Sequence, residues 1–217
     1  MAVNKEAYQQ IQSFLQEKNV QLVAVSKTKP VEDIAALYQL GQRDFGENYV
    51  QEMVGKSKML PSDVRWHFIG HLQTNKVKLI ASFVQLIHGV DSLKLLKEIN
   101  KQAAKAGRVI DCLLQVHIAT EETKFGLDKE EVEQIMSTLK TMPLSNVNIR
   151  GLMGMASLTA DERQIKKEFD DLKSLFDSVE GVDILSMGMS GDYQIAIGSG
   201  SNMVRIGSLL FGQRVKK

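Results

Sequence analysis

Short apolar runs alternate with longer amphipathic segments along the whole chain. Several runs, such as LVAV at 22–25 and VIDCLLQV at 109–116, are almost continuously apolar. Such runs are typical of parallel strands that are buried on both faces. In all, eight short β-rich runs are predicted to be strands, at residues 22–27, 43–46, 64–70, 83–90, 109–118, 147–155, 182–189 and 203–208.

Helical patterns fill the stretches between these runs. One helix begins with Pro30 at the first helical position and ends at Gly41. Another begins with Asp128 as N-cap and has Glu131 three residues later, the pattern of a capping box. Two longer helices are predicted, each with one apolar stripe. In the helix at 91–107 the stripe consists of Leu93, Leu96, Ile99 and Ala103. In the helix at 161–181 it consists of Ile165, Phe169, Leu172, Phe176 and Val179.

Eight strands with intervening helices predict an α/β fold, a closed (β/α)8 barrel of TIM type. A leading helix at about 2–18 is expected to pack outside the barrel. An open doubly wound sheet shares the same repeat and stays as the alternative, although no GxGxxG follows the first strand. Because the chain has only three prolines and no linker-like segment, residues 1–217 are predicted to form a single domain.

Composition narrows the class of protein. The 217 residues are 43% hydrophobic and 24% charged, as in an ordinary globular protein. A formal net charge of +1 gives no support for binding nucleic acid through bulk electrostatics. No apolar stretch is long enough for a membrane span. The single cysteine, Cys112, and the lack of a leader-like start at MAVNKEAYQQ favour a cytoplasmic location.

The first candidate for chemistry is Lys27, which closes the apolar strand LVAVSK. In such barrels the functional groups gather at the carboxyl ends of the strands. Partial burial there favours the neutral amine, which can bond to a carbonyl compound. Lys29 competes for this role but lies closer to Pro30, where the chain turns outward. A surface lysine that marks the exit of the strand is the alternative.

The turns after the last two strands are the second candidate. Residues 186–191 read SMGMSG, and Gly207-Ser208 opens a final helical turn. Phosphate sites in this fold commonly use these two places, where glycine permits a close approach and serine adds donors. Two ordinary turns would have the same composition, so this alternative stays open.

Arg205 is the third candidate, because it lies between Val204 and Ile206 in an apolar strand. Alternation places Met203, Arg205 and Gly207 on one face, toward the barrel mouth. The guanidinium could donate to a ring nitrogen or a phosphate. A structural ion pair, for example with Glu47, is the alternative.

Other features carry less weight. His67 and His71 are four residues apart but lie in a strand and a turn, and His88 and His117 lie in separate strands. No Cys/His cluster has zinc spacing, so no metal site is expected. Other expectations are a buried Cys112, pocket contacts from Met153 or Met155, and a charged loop at 120–126 over the mouth.

Seven segments, in this order along the chain, resemble motifs of the pyridoxal phosphate homeostasis protein family, the YggS/PROSC type. They are AVSKTKP at 24–30, FGENYVQE at 45–52, WHFIGHLQTNK at 66–76, EETKFG at 121–126, GLMGMA at 151–156, LSMGMSGDYQIAI at 185–197 and GSNMVRIGSLLFG at 200–212. The resemblance spans nearly the whole chain. Two departures are His117, where an asparagine is expected, and Gly89, where a serine is expected.

The resemblance implies a fold-type III barrel like the N-terminal domain of alanine racemase, with pyridoxal 5'-phosphate (PLP) held as a Schiff base on Lys27. It makes Asn48 a wall of the cofactor pocket and Arg205 the arginine that faces the pyridine nitrogen. Such an arginine keeps that nitrogen unprotonated and weakens the ring as an electron sink. The phosphate cradle that it implies consists of Ser186, Met187, Gly188, Ser190, Gly207 and Ser208.

The function implied by this resemblance is intracellular PLP (vitamin B6) homeostasis, in which the protein carries or buffers the cofactor. Alanine racemase has a second domain that supplies another base, and nothing after the eighth strand encodes one here, so no enzyme activity is expected. PLP-dependent apoenzymes are candidate recipients, and a monomer is expected. One rival is a small PLP-dependent amino-acid racemase or lyase, with Tyr193 or a histidine as second base. Another is a barrel that binds a different phosphorylated metabolite.

Overall fold

The computed structural model describes residues 3–121 and 125–212 of the chain. Eight parallel strands form a closed barrel in sequence order. They are β1 Gln21–Val25, β2 Asp44–Glu47, β3 Arg65–Phe68, β4 Val84–Val90, β5 Ile110–Val116, β6 Val147–Gly154, β7 Ile184–Met189 and β8 Met203–Ile206. The first and last strands pair, with Gln21 opposite Met203 and Val23 opposite Arg205. This closure confirms the (β/α)8 barrel and excludes the open sheet.

Helices connect the strands and surround the barrel. They are α1 Lys5–Glu17, α2 Val31–Gln39, α3 Val50–Ser57, α4 Leu93–Lys105, α5 Lys129–Thr141, α6 Glu162–Ser178, α7 Tyr193–Gly198 and α8 Ser208–Phe211, with a 3₁₀ helix at Thr74–Leu79. The leading helix α1 lies outside the barrel beside α8, where the Asn4 backbone N–H donates to Leu210 O at 2.9 Å. That a single domain spans residues 1–217 stays a prediction.

The helix starts follow the capping signals in the sequence. Asp128 accepts a hydrogen bond from the Glu131 backbone N–H, and the Glu131 side chain accepts one from the Asp128 backbone, so the predicted capping box is confirmed. Pro30 is the residue before α2 rather than its first helical residue, because its ψ of 162° is extended. The fixed φ of proline suits either position, and only ψ separates the two.

The predicted stripes of α4 and α6 are right except at individual positions. Leu93 is only partly buried, and Leu95 is buried in addition. In α6, Glu168 and Leu175 are buried while Phe176 is partly buried. Glu168 is drawn inward because its carboxylate accepts hydrogen bonds from the Ser157 backbone N–H and hydroxyl, both at 2.7 Å.

Apolar side chains fill both the space between strands and helices and part of the barrel interior. Within the barrel lies a small cluster of Val23, Leu86, Leu113, Met153 and Met203. Cys112 is fully buried, as predicted, and burial raises the pKa of its thiol. In the part of the chain that the structure describes, no helix has the length and apolar character to cross a membrane.

Candidate functional site

A cavity of about 310 Å³ opens at the carboxyl ends of the strands. This volume lies within the range of small-molecule sites, roughly 300–1,000 Å³. Six of the nine predicted site residues line it: Lys27, Asn48, Ser190, Arg205, Gly207 and Ser208. Met155 also lines the cavity, as expected, whereas Met153 lies deeper in the barrel.

Lys27 reaches the cavity because it continues the inward face of β1. Val23 lies in the barrel interior, and Val25 and Lys27 line the cavity above it. Lys29 lines the same cavity, but its amine donates to Phe211 O at 2.7 Å and Gly212 O at 3.1 Å. That contact assigns Lys29 a structural role, since it joins the loop after β1 to the end of α8.

A buried cluster holds the strand end that carries Lys27. The Lys56 amine donates to Ser26 O at 2.8 Å, to Glu47 Oε1 at 2.7 Å and to Glu52 Oε1 at 2.6 Å. The Thr28 backbone N–H donates to the same Glu52 oxygen at 2.6 Å, and Thr28 has a φ of 64°. Both neighbours of Lys27 are therefore fixed, one of them in the left-handed region that is costly for threonine.

Glu47 is the anion at the centre of this cluster. Its side chain is fully buried, and burial raises the pKa of its carboxyl against the opposing effects of Lys56 and Ser26. The sequence analysis missed Lys56, although it lies three residues after Met53 on the buried face of α3. A lysine at an apolar helical position could have pointed to a buried partner.

Arg205 lies at the bottom of the cavity and is 3% exposed. Its guanidinium donates to Ser186 O at 2.8 Å, to Ser186 Oγ at 2.7 Å and to Gly154 O at 3.1 Å. Burial lowers the pKa of Arg205 to about 10, so it is still a cation at neutral pH. Glu47, the candidate ion-pair partner, instead accepts hydrogen bonds from Ser26 and Lys56.

The two predicted phosphate turns meet at the cavity. The Gly207 backbone N–H donates to Ser190 Oγ at 3.1 Å, which joins the turn after β7 to the start of α8. A Cβ atom on Gly207 would lie 3.2 Å from Val25. Glycine therefore lets the turn lie close against β1, and the hydroxyl of Ser208 lies beside it at the cavity wall.

The other three residues of the predicted cradle are not among those that line the cavity. Ser186 is fully buried below it, against Arg205, and Met187 packs in the core between strands and helices. Gly188 has a φ of 97°, and a Cβ there would lie 2.6 Å from the Ala196 side chain. These three positions lie within strand β7, before the turn that begins at Ser190, and their contact with phosphate stays a prediction.

Close backbone packing brings Asn48 to the rim. A Cβ on Gly70 would lie 2.5 Å from Asn48 O, and one on Gly89 would lie 2.4 Å from Gly70 O. The departure from the family motif at Gly89 therefore falls where this backbone has no room for a side chain. Three successive strand ends are held together by these contacts.

The loop at 120–126 is described only in part, since residues 122–124 lie outside the described residues. Phe125 is 58% exposed and stacks on His71 with ring centroids 4.4 Å apart. His71 in turn lies 3.0 Å from Asp91. One end of the loop is thus anchored to the ends of β3 and β4. In residues 3–121 and 125–212, no group of three or more His, Cys, Asp or Glu side chains could hold a metal ion.

Comparison with known proteins agrees with this architecture. The sequence pattern of the family described as the alanine racemase N-terminal domain matches residues 4–215 of this chain. A pyridoxal phosphate homeostasis protein of Vibrio alginolyticus is 41% identical over 206 residues, covering 91% of this chain and 88% of the relative. The chain belongs to the pyridoxal phosphate homeostasis protein family. The resemblance found from its motifs is thereby confirmed.

Solved structures place this family member among barrels of one fold. The structure of PipY from Synechococcus elongatus with PLP bound has a TM-score of 0.85 and 34% identity, covering 95% of this chain and 99% of that chain. An alanine racemase from Bartonella henselae with covalently bound PLP has a TM-score of 0.73 at 17% identity, covering 99% of this chain and 62% of that chain. The second likeness shows the shared fold.

Proposed function

We propose that this protein binds PLP at the barrel mouth, attached through Lys27, and serves intracellular PLP homeostasis by carrying or buffering it. The observation that carries this proposal is that one cavity brings together Lys27, Arg205 and the joined turns of Ser190 and Gly207. The family name and the PLP-bound PipY structure support it.

The residues present fit this cofactor. PLP supplies an aldehyde that condenses with a neutral amine, a pyridine ring and a phosphate. The Lys27 amine lies at the wall of a cavity large enough for such a molecule. The hydroxyls of Ser190 and Ser208 flank the glycines, whose missing side chains let an anion approach the backbone.

Arg205 and Asn48 would complete the pocket. Arg205 is a buried cation whose donors already point to two backbone carbonyls and one hydroxyl. We propose that it also donates to the ring nitrogen, which stays unprotonated beside a permanent cation. Asn48 would form a side wall, held in place by the close approach of Gly70.

The proposed carrier has little or no catalytic activity of its own. The relatives are named as homeostasis proteins, which agrees with a carrier. Tyr193, the candidate second base of a racemase or lyase, packs edge-on against Phe14 of α1 at a centroid distance of 6.2 Å. It is not among the residues that line the cavity. That placement speaks against Tyr193 as the second base and leaves a histidine as the other candidate of the enzyme alternative.

We further propose a cytoplasmic monomer that passes PLP to PLP-dependent apoenzymes. The balanced charge of the chain disfavours nucleic acid as a partner. A direct check is to mix the loaded protein with an apoenzyme and a PLP scavenger. Recovery of the apoenzyme's activity faster than release into the scavenger would support transfer by contact, and equal rates would mean release into solution.

Borohydride trapping tests the cofactor assignment. The full-length protein is mixed with PLP, its visible spectrum is recorded, and borohydride then reduces any carbon–nitrogen double bond before peptide mass mapping. A pyridoxyl adduct on the peptide that contains Lys27 is expected for the protein and for Lys29→Ala, and its loss in Lys27→Ala. Labelling spread over surface lysines, or spectrally unchanged binding in Lys27→Ala, would contradict covalent attachment at Lys27.

The same preparations separate the carrier from the enzyme. The loaded protein is incubated with single amino acids, and racemisation and cleavage products are followed over many turnovers. Little or no turnover is expected. Sustained conversion of one amino acid that disappears in Lys27→Ala would establish the enzyme instead.

A further inference from the structure

A continuous chain of hydrogen-bonded polar side chains runs through the barrel interior. It begins at the amino-terminal ends of the strands, the floor of the barrel, and ends at Arg205. At the floor, Asp44 accepts two hydrogen bonds from Arg65 and lies 2.9 Å from His67 Nε2. His67 Nδ1 lies 2.9 Å from His88 Nε2, and His88 Nδ1 lies 3.2 Å from Ser186 Oγ. Ser186 Oγ accepts a hydrogen bond from Arg205 at 2.7 Å.

This chain is enclosed by the barrel. His67 is 2% exposed, and His88 and Ser186 are fully buried. The apolar cluster that contains Leu86 and Met203 fills other inward positions of β4 and β8. Burying polar atoms is costly unless each finds a hydrogen-bond partner, and here every ring nitrogen has one.

When His67 is neutral, the two ends of the chain determine the direction of every hydrogen bond between them. Arg205 only donates, so Ser186 Oγ accepts from it. An ionised Asp44 only accepts, so His67 carries its hydrogen on Nε2 and, when neutral, accepts on Nδ1. His88 then donates from Nε2 to His67 and accepts the Ser186 hydroxyl hydrogen on Nδ1.

The opposite direction leaves the chain unbalanced. If His88 carried its hydrogen on Nδ1, its Nε2 would have to accept from His67 Nδ1. His67 would then need a hydrogen on both nitrogens and a positive charge to satisfy Asp44 as well. The Ser186 hydroxyl hydrogen would also lose its acceptor on His88. The arrangement with two neutral imidazoles satisfies all five side chains.

We propose that His88 is a positioning residue for Arg205, acting through the Ser186 hydroxyl as part of the chain that begins at Asp44. By taking the hydroxyl hydrogen, His88 turns a lone pair of Ser186 Oγ toward the guanidinium. Arg205 is thereby held in one orientation below the cavity. The inference rests on the proposed function, since the purpose of this orientation is the contact of Arg205 with PLP.

The hydrogen positions can be measured without cofactor. Long-range proton–nitrogen NMR on the full-length protein reports which nitrogen of each histidine is protonated. For both His67 and His88 we expect a hydrogen on Nε2 and none on Nδ1 at neutral pH. A hydrogen on His88 Nδ1 would overturn the proposed direction, whether or not the protein binds PLP.

A matched pair of variants tests the effect on the cofactor. Leucine and asparagine have similar size, but only asparagine offers an oxygen to the Ser186 hydroxyl. In His88→Leu we expect a shifted visible absorption maximum of bound PLP and about tenfold weaker PLP binding. A loss of this size is typical at metal sites when a hydrogen bond to a metal-binding residue is removed. His88→Asn should return both toward the values of the unchanged protein.

Met203→Leu controls for disturbed packing, because Met203 lies in the apolar part of the interior, two residues before Arg205. It should leave the spectrum unchanged. An identical spectrum and affinity in His88→Leu and the unchanged protein would overturn the positioning role. Should His88→Leu fail to fold, the NMR result still decides the proposal. Failure of the unchanged protein to bind PLP would instead overturn the proposed function.

Discussion

The Lys56 amine lies 2.7 Å from Glu47 Oε1, and both groups are buried and hydrogen-bonded to Ser26, the residue before Lys27. Neither residue lines the cavity. Their ion pair nevertheless shapes the site, since the same amine holds Ser26 O and the same cluster holds the Thr28 backbone. The position of Lys27 therefore depends on charges buried behind it.

Removal of Lys56 should destabilise the protein strongly. Lys56→Met leaves the Glu47 carboxylate buried without its cation, which typically costs about 3–5 kcal/mol. Urea unfolding measures the change. Lys58→Met makes the same substitution at an exposed position two residues further on and should change stability by less than about 0.5 kcal/mol. Equal effects of the two substitutions would refute the role of the buried pair.

Gly70 should tolerate no side chain. In Gly70→Ala the new Cβ would lie 2.5 Å from Asn48 O and 2.9 Å from Asn48 Cα, so backbone must move. We expect a loss of about 1–3 kcal/mol in stability, together with weaker PLP binding because Asn48 is displaced. Gly55→Ala, where a Cβ meets nothing within 4 Å, should be neutral or stabilising. Unchanged PLP affinity in a folded Gly70→Ala protein would contradict a role of Asn48 in binding PLP.

Arg205 should be needed for cofactor retention. Arg205→Ala removes a charged donor, and hydrogen bonds to charged groups contribute about 1.5–3 kcal/mol, so binding should weaken by roughly tenfold or more. The absorption maximum of the remaining bound PLP should shift, because the ring nitrogen loses its cationic neighbour. Spectral titration of the variant measures both quantities. If neither changes, Arg205 does not contact the cofactor.

The protein should be less stable in mild acid than at neutral pH, because His88 is buried in its neutral form. Burial, with smaller contributions from His67 and Arg205, holds the pKa of His88 well below its ordinary value of 6.5. As the pH falls below about 6.5, the unfolded chain takes up a proton here that the folded protein does not, so folding stability decreases. The limiting slope for one such group is about 1.4 kcal/mol per pH unit.

Urea unfolding at pH 7.5 and pH 5.5 measures this linkage. The stability lost between the two pH values should be smaller in His88→Asn, which has no titrating group at this position. His71 and His117 lie outside the hydrogen-bonded chain and serve as internal controls, whereas His67 loses its partner on Nδ1 in the variant. A variant that loses as much stability as the unchanged protein would show that His88 is not responsible.

Local signals in the sequence were enough to predict the strands, the helices and their order along the chain. Eight β-rich runs predicted the eight strands, and the continuously apolar ones among them, such as LVAV at 22–25, are typical of strands buried on both faces. Asp128 and Glu131 predicted the start of α5, since a capping box involves only neighbouring residues. Repetition of strand and helix then leaves few arrangements, and closure between β1 and β8 selected the barrel.

The candidate site was predictable for residues that line the cavity, including Arg205 at its bottom. Lys27, Ser190, Gly207 and Ser208 lie at strand ends, where a barrel brings functional groups together, and the motifs identified them. Ser186 was grouped with these residues, but it lies one layer lower, bonded to Arg205 and His88. Composition shows that a turn contains serine and glycine, but not which of them faces the cavity.

What the sequence by itself determined is therefore the order of elements, their buried faces and the strand ends that form the mouth. Only the tertiary structure decided which buried polar side chains pair: Lys56 with Glu47, and His67 of β3 with His88 of β4. Propensity and periodicity act over a few residues, whereas a buried charge or imidazole is stabilised by whatever the folded barrel places beside it. Ser186 and His88 are 98 positions apart in the chain and meet because the barrel closes around them.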